Sequence, residues 1–276
     1  AGLLAGAPAR SGRGPRAGWV GRAGGVRASL DLHGFSVSLL PADDARVRAL
    51  AAPVALTAWP GRNPLGQVEV RPLPDGLSPI QPVPSPHPAR RTVIETCCKA
   101  LIAVEKELNA LDAKSGDGDT GSTLATAARA LVAALDRLPL ADATQLYRAI
   151  GMELAQTMGG SSGVLLAIFF AAAGDASAGG KEWIGALSAG LDRVMQVGGA
   201  EPGHRTMIDA LAPALAALPQ GLAAAAKAAR SGADGTAAMT RARAGRASYL
   251  SADKLAGFND PGAEGVAVLF ETLARG

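Results

Sequence analysis

From Thr92 to the C-terminus, apolar residues fall at spacings of three and four, interrupted only by short clusters of Gly, Pro and Asp. Ile94, Cys97, Leu101, Val104, Leu108 and Leu111 set the pattern, which puts them on one buried helix face. Thr92 and Glu95 read as a capping box that opens this helix. The same reading predicts helices over roughly 121–138, 142–158, 162–174, 181–197, 205–218, 220–245 and 262–274, and no strand after residue 92. Hydrophobic residues make up 48% of the chain but aromatics only 4%, so the apolar content is mostly Ala, Leu and Val. That composition suits closely packed helices and argues against a β-sandwich or β-barrel. Residues 92–276 are therefore expected to be all-α, with about eight helices.

The front of the chain has a different texture. Residues 1–33 are rich in Gly, Ala and Arg without helical or strand period, and they do not begin with Met. They are expected to be disordered, or not native sequence at all. Residues 34–40 alternate like a short strand, and 42–52 resemble a short helix opened by Asp43 or Asp44. Residues 72–91 are dense in proline and read as a semi-rigid linker.

Charge divides the same way. The net charge of +3 combines a balance of +6 in residues 1–91 with −3 in residues 92–276. The basic character belongs to the front and gives no case for nucleic-acid binding by the rest. The apolar run Val164–Ala173 is too short to span a membrane, so no membrane partner is expected. Cys97 and Cys98 are adjacent, which fits two buried thiols in a reducing cytoplasm better than a disulfide framework.

The densest chemistry lies in LNALDAKSGDGDTGST, residues 108–123. Asp112, Asp117 and Asp119 are crowded together with only Lys114 to relieve them, and Asp112 falls at the negative end of the first helix. A hard cation such as Mg²⁺ resolves such repulsion, because it takes carboxylate, water and phosphate oxygens. Thr120, Gly121, Ser122 and Thr123 then open the next helix, where N–H groups and hydroxyls can meet an anion. Two readings stand at this point: a solvated acidic turn, or a metal–nucleotide site. Three familiar motifs do not apply. Gly116, Gly118 and Gly121 have dinucleotide-fingerprint spacing but follow a helix rather than a strand. An EF-hand counted from Asp117 would need Glu where Ala128 stands. No glycine-rich loop ends in Gly-Lys-Ser/Thr.

Three other joints carry glycine: MGGSSG around Ser161 and Ser162, VGGAEPGHRTM with Gly198, His204, Arg205 and Met207, and the stretch from Arg246 to Asp260-Pro261-Gly262. Each alone is an ordinary loop. Between antiparallel helices they could converge at one end of a bundle.

Together the blocks GDGDTGST, GGSSG, GHRTMIDAL, GRASYL and NDPGA, in that order over residues 92–276, resemble the L domain of the dihydroxyacetone kinases, including animal triokinase. The resemblance implies a barrel of eight antiparallel helices that binds ATP or ADP at one end through two Mg²⁺ ions. It implies Asp112, Asp117 and Asp119 as metal ligands. It implies Thr120, Gly121, Ser122 and Thr123 around the phosphates, with Ser161 and Ser162 also on the nucleotide. Gly198 and Met207 would line the adenine side, and Arg246, Asp260, Pro261 and Gly262 would complete the pocket. The family usually has Asp where this chain has His204. Residues 34–60 resemble the last strand and helix of the family's K domain, so 34–71 are expected to be a remnant of it. The rest of that triose-binding domain is missing here, and neither His33 nor His87 is assigned a catalytic part.

The leading functional expectation is thus ATP-dependent phosphorylation of dihydroxyacetone or glyceraldehyde in cytoplasmic glycerol metabolism. This chain would supply the Mg²⁺–ATP half, need a K domain in cis or in trans, and be inactive alone. One alternative is an L subunit that retains ADP as a phosphoryl carrier for a phosphotransferase system. Another is a truncated, catalytically incompetent nucleotide-binding chain.

Overall fold

A computed structural model describes residues 2–6, 18–25, 35–52 and 82–276. The chain divides into two compact units, Ala1–Pro79 and Ile80–Gly276.

In the first unit, β1 (Gly2–Gly6), β2 (Gly18–Gly25) and β3 (Phe35–Ala42) form an antiparallel sheet in the order β1-β2-β3. Leu4 pairs with Gly21, and Val20 with Leu40. The strand and helix expected at 34–52 are present. Helix α1 (Asp44–Ala51) is capped by Asp43, whose carboxylate accepts from the Arg46 N–H at 2.8 Å. Of residues 1–33, expected to be disordered or not native, 2–6 and 18–25 form β1 and β2, and the rest lies outside the described residues. Sheet pairing uses backbone N–H and C=O groups, so a glycine-rich stretch without side-chain alternation can still add to the alternating strand β3. Most of the proline-rich stretch 72–91 lies outside the described residues.

The second unit is helical throughout its described residues; its one β-type contact is the Ser85–Pro139 bridge. Its helices are α2 (Pro88–Ala103), α3 (Glu105–Asp112), α4 (Thr120–Ala134), α5 (Ala143–Thr157), α6 (Gly160–Ala178), α7 (Trp183–Gly198), α8 (Ile208–Ala217), α9 (Leu222–Thr236) and α10 (Pro261–Arg275). The chain bends at Val104, so α2 and α3 share one position in the ring. From α4 onward each helix packs against the next, and α10 closes on α2 and α3. The result is an eight-position antiparallel ring: the periodicity predicted about eight helices, and the family resemblance implied their closure into a barrel.

Several boundaries differ from the expectation. The first helix starts at Pro88, not Thr92. Pro88 at the first helical position loses no hydrogen bond, and His87 Nδ1 caps by accepting from the Arg90 N–H at 3.3 Å. The proposed capping box is therefore inside the helix: Thr92 Oγ1 donates to Pro88 O at 3.1 Å, and Glu95 pairs with Arg91 and Lys99. At the other extreme, α9 ends at Thr236 rather than near 245. There the Thr236 hydroxyl donates to Ala233 O and accepts the Asp260 N–H, tying the helix end to the start of α10.

The scarcity of aromatics is explained by how closely the helices approach. A Cβ placed on Gly190 would meet Phe169 O, and one on Gly151 would lie 3.1 Å from Ala167 O. Helix α6 is long and apolar enough to cross a membrane, more so than the run Val164–Ala173 suggested. Neighbouring helices cover part of it, while Val164 stays 59% exposed. Phe169 packs in a core with α7 to α10, and Leu166 against a second core built on α2, α4 and α5. Asp175, near its end, pairs with Arg148 of α5 at 2.7 Å. Cys98 is buried and Cys97 half-buried; burial pushes their thiols up to about 12 and about 11, so both stay protonated and inert at neutral pH.

Candidate functional site

Alternation of direction brings four joints to one end of the ring: α3–α4, α5–α6, α7–α8 and α9–α10. Side-chain contacts bear this out for three of the four. Arg205 of the third joint and Lys114 of the first both lie against the ring of Phe258 in the fourth, 4.8 and 5.2 Å from its centroid.

The three aspartates converge as predicted. Asp112, Asp117 and Asp119 each offer a carboxylate oxygen, and these atoms lie within 4.8 Å of one another. Asp112 is 7% exposed, and its Oδ2 accepts the N–H groups of Asp119 at 2.9 Å and Thr120 at 3.2 Å. A buried carboxylate thus fixes the loop onto the positive end of α4, while Asp117 and Asp119 stand at the surface. Glycine is required twice here. A Cβ on Gly116 would overlap Asp112 Oδ1, and Gly118 has φ of +78°. Three hard oxygen donors with solvent access suit Mg²⁺, which keeps waters and takes few protein ligands.

The helix start is less open than the sequence suggested. Thr120 N–H is held by Asp112, and Thr123 N–H by Asp119 O at 2.9 Å. Ser122 N–H donates to Asn109 Oδ1 at 3.0 Å, and its hydroxyl to Glu105 Oε1 at 3.2 Å. Asn109 Nδ2 returns a bond to Ser122 Oγ at 2.9 Å, and Arg129 holds the other oxygen of Glu105. Sequence reasoning missed Asn109 and Glu105. The available signal was their spacing of four on α3, which puts both on the face toward α4.

The remaining expected residues lie in or beside the other three joints. Gly159 precedes α6, and Ser161 and Ser162 are exposed in its first turn. Gly198 closes α7 against Leu165. Met207 and Asp260 both adjoin Gly262, whose added Cβ would lie 3.2 Å from Met207 Cβ and 3.1 Å from Asp260 Oδ2. Pro261 is the buried first residue of α10. Arg246 opens a short 3₁₀ turn ending at Tyr249. His204 is half-buried and belongs to the turn itself: its Nδ1 accepts the Glu201 N–H at 3.1 Å, and its carbonyl accepts the Arg243 N–H. Asp209, also unforeseen, is buried and accepts the N–H groups of Gly203 and Thr206, which explains why α8 starts at Ile208 rather than 205.

Asp260 caps α10 by accepting the Ala263 N–H at 2.9 Å. Burial pushes its carboxyl up to about 6, against the opposing pull of that N–H and of Arg205. An acid with a raised folded-state pKa favours the folded state when protonated, so stability falls as pH rises from about 4 through about 6. Asp260→Asn keeps a capping oxygen but does not ionise. Relative to the parent protein, it should gain in melting temperature between pH 4.5 and 7.5 without nucleotide. A difference that stays flat or reverses over that range would contradict the burial argument.

The second unit is thus an all-α domain with a carboxylate cluster at one helix joint. The chain belongs to the DAK2 domain family, which it matches over residues 114–275. Over 262 residues it is 41% identical to the dihydroxyacetone kinase of Citrobacter freundii, covering 93% of this chain and 48% of that protein. Human triokinase/FMN cyclase is 34% identical over 300 residues, covering 99% of this chain and 51% of the relative. The crystal structure of the C. freundii dihydroxyacetone kinase superposes with a TM-score of 0.67 at 39% identity, over 89% of this chain and 45% of that one. Its complex with AMP-PNP and Mg²⁺ gives 0.64 at 38% identity, over 89% and 44%. The chain spans about half the length of these relatives.

Proposed function

We propose that this chain binds Mg²⁺ and ATP at the joint end of its helical ring, and supplies the phosphoryl-donor half of a kinase acting on dihydroxyacetone or a related triose. The observation that carries the reading is the convergence of Asp112, Asp117 and Asp119 beside the N-terminus of α4. The C. freundii relative holding AMP-PNP and Mg²⁺ supports it. Asp112, Asp117 and Asp119 would hold the metal, two ions in our reading, and bound Mg²⁺ would neutralise phosphate charge as it develops during transfer. The protein's own part is positioning. Asp112 anchors the loop, Asn109 and Glu105 fix Ser122, and the N-terminal end of α4 favours anions. Thr120, Gly121, Ser122 and Thr123 would face the phosphates. Ser161, Ser162, Gly198, Met207 and Arg246 would frame the nucleotide, with Asp260, Pro261 and Gly262 closing the pocket. The acceptor hydroxyl must be held in line with the γ-phosphate, a task we assign to a K domain acting in cis or in trans.

Calorimetry with ADP tests the reading. Affinity should depend on Mg²⁺ and vanish in EDTA, and Asp117→Asn should weaken it at least tenfold, or ~1.4 kcal/mol. Equal ADP affinity with and without metal would sink the proposal. Exchange of bound ADP against labelled ATP separates two modes of use: rapid exchange fits direct use of ATP, and retention through purification fits an ADP-bound phosphoryl carrier.

A further inference from the structure

Arg205 is 1% exposed and has φ of +59°, unusual for a residue with a side chain. Its Nη2 donates to the carbonyls of Leu255 and Phe258 at 3.1 and 3.0 Å, while Nε and Nη1 are buried without a hydrogen-bond partner. Burial works against the charged form, which is drawn below its usual pKa. A carboxylate would be the ordinary remedy, yet Asp260 acts on it only at longer range. The group in close contact is the face of Phe258, 4.8 Å away. Lys114 Nζ, two residues beyond Asp112, lies 5.2 Å from the centroid of the same ring. An aromatic face attracts cations most strongly where water is excluded. One ring therefore joins the aspartate loop to both the α7–α8 and α9–α10 joints.

We propose that Phe258 is a positioning residue: through its contacts with Lys114 and Arg205, its ring holds the aspartate loop in the conformation that binds metal and nucleotide. The proposal rests on the function proposed above for its consequence, but the loop order itself is measurable without any ligand. It also predicts that residues 255–260 and 113–119 gain or lose order together, although about 140 residues separate them in sequence.

Amide hydrogen exchange on the metal-free protein, paired with Mg²⁺–ADP calorimetry, provides the test. Phe258→Leu keeps an apolar side chain but removes the aromatic face. It should speed exchange in both 113–119 and 255–260 at least fivefold and weaken Mg²⁺–ADP about tenfold, whereas Phe258→Tyr should restore both. Lys114→Met, at an exposed site, should loosen 113–119 alone, and Lys114→Arg should behave as the parent. Unchanged exchange in the loop of Phe258→Leu or Lys114→Met would overturn the proposal. So would a Phe258→Leu effect spread evenly over all helices, or a failure of Tyr to rescue, because either would make Phe258 ordinary core. If the parent protein binds no Mg²⁺–ADP, the proposed function fails, while the exchange results still decide the part played by Phe258.

Discussion

Asp112→Asn and Asp119→Asn should each weaken Mg²⁺–nucleotide binding at least tenfold, yet have opposite effects on the metal-free protein. The two carboxylates share a cluster but not an environment. Asp112 is buried and accepts two backbone N–H bonds, from Asp119 and Thr120, at the positive end of α4. Bonds of this kind to an ionised acceptor are among the stronger ones, and removing the charge should cost about 1–2 kcal/mol of stability. Asp119 is exposed and makes no side-chain capping bond. Neutralising it removes one of three mutually repelling charges, so metal-free stability should hold or rise. Thermal melts in EDTA and calorimetry with Mg²⁺–ADP check both halves. If Asp119→Asn lost as much stability as Asp112→Asn, the cluster would be a structural cap, and the metal assignment would fall with it.

The contrast between these two aspartates marks where sequence reading ended. Their crowding was visible in the string, because like charges within eight residues repel one another until something neutralises them. Which one was buried was not, since that depends on Asp112 ending α3 just where α4 begins. The helices themselves were legible for a similar reason: periods of three and four, broken by glycine, mark where each helix runs and where it stops, while their closure into a ring came only from the family resemblance. The helix ends were less so. Thr92 and Glu95 have the right types at the right spacing for a cap, but Pro88 and His87 start the helix four residues earlier. Asp209, Thr236 and Phe258 act across distances in sequence, or through turns, that no local pattern encodes. The hydroxyl of Thr236 meets the Asp260 N–H 24 residues on, and Phe258 meets Lys114 across most of the domain. At the front of the chain, a glycine-rich stretch without alternation gave no strand signal, because β1 and β2 pair through the backbone.

Gly121→Ala should destabilise the second unit by about 2–3 kcal/mol and disable the site, although alanine is the better helix former. On propensity alone the substitution, in the first turn of α4, would be neutral or favourable. Close approach decides otherwise. A Cβ at Gly121 would overlap the backbone carbonyl oxygen of Glu105 and come within 2.8 Å of Asn109 Oδ1. The first is main chain of a packed helix and cannot swing away as a flexible side-chain tip could. Relief requires α3 and α4 to separate, which would stretch the bonds that hold Ser122 to Asn109 and to Glu105. For a domain of this size each kcal/mol lowers the melting temperature by about 2–4 °C, so a fall of roughly 4–12 °C is expected. Gly159→Ala is the control. Nothing lies within 4 Å of its added Cβ, and its melting temperature should stay close to that of the parent. Equal melting temperatures for both variants would mean that α3 and α4 have slack at their crossing. The glycine after Thr120 would then owe its place to the bound phosphate rather than to the packing of the two helices.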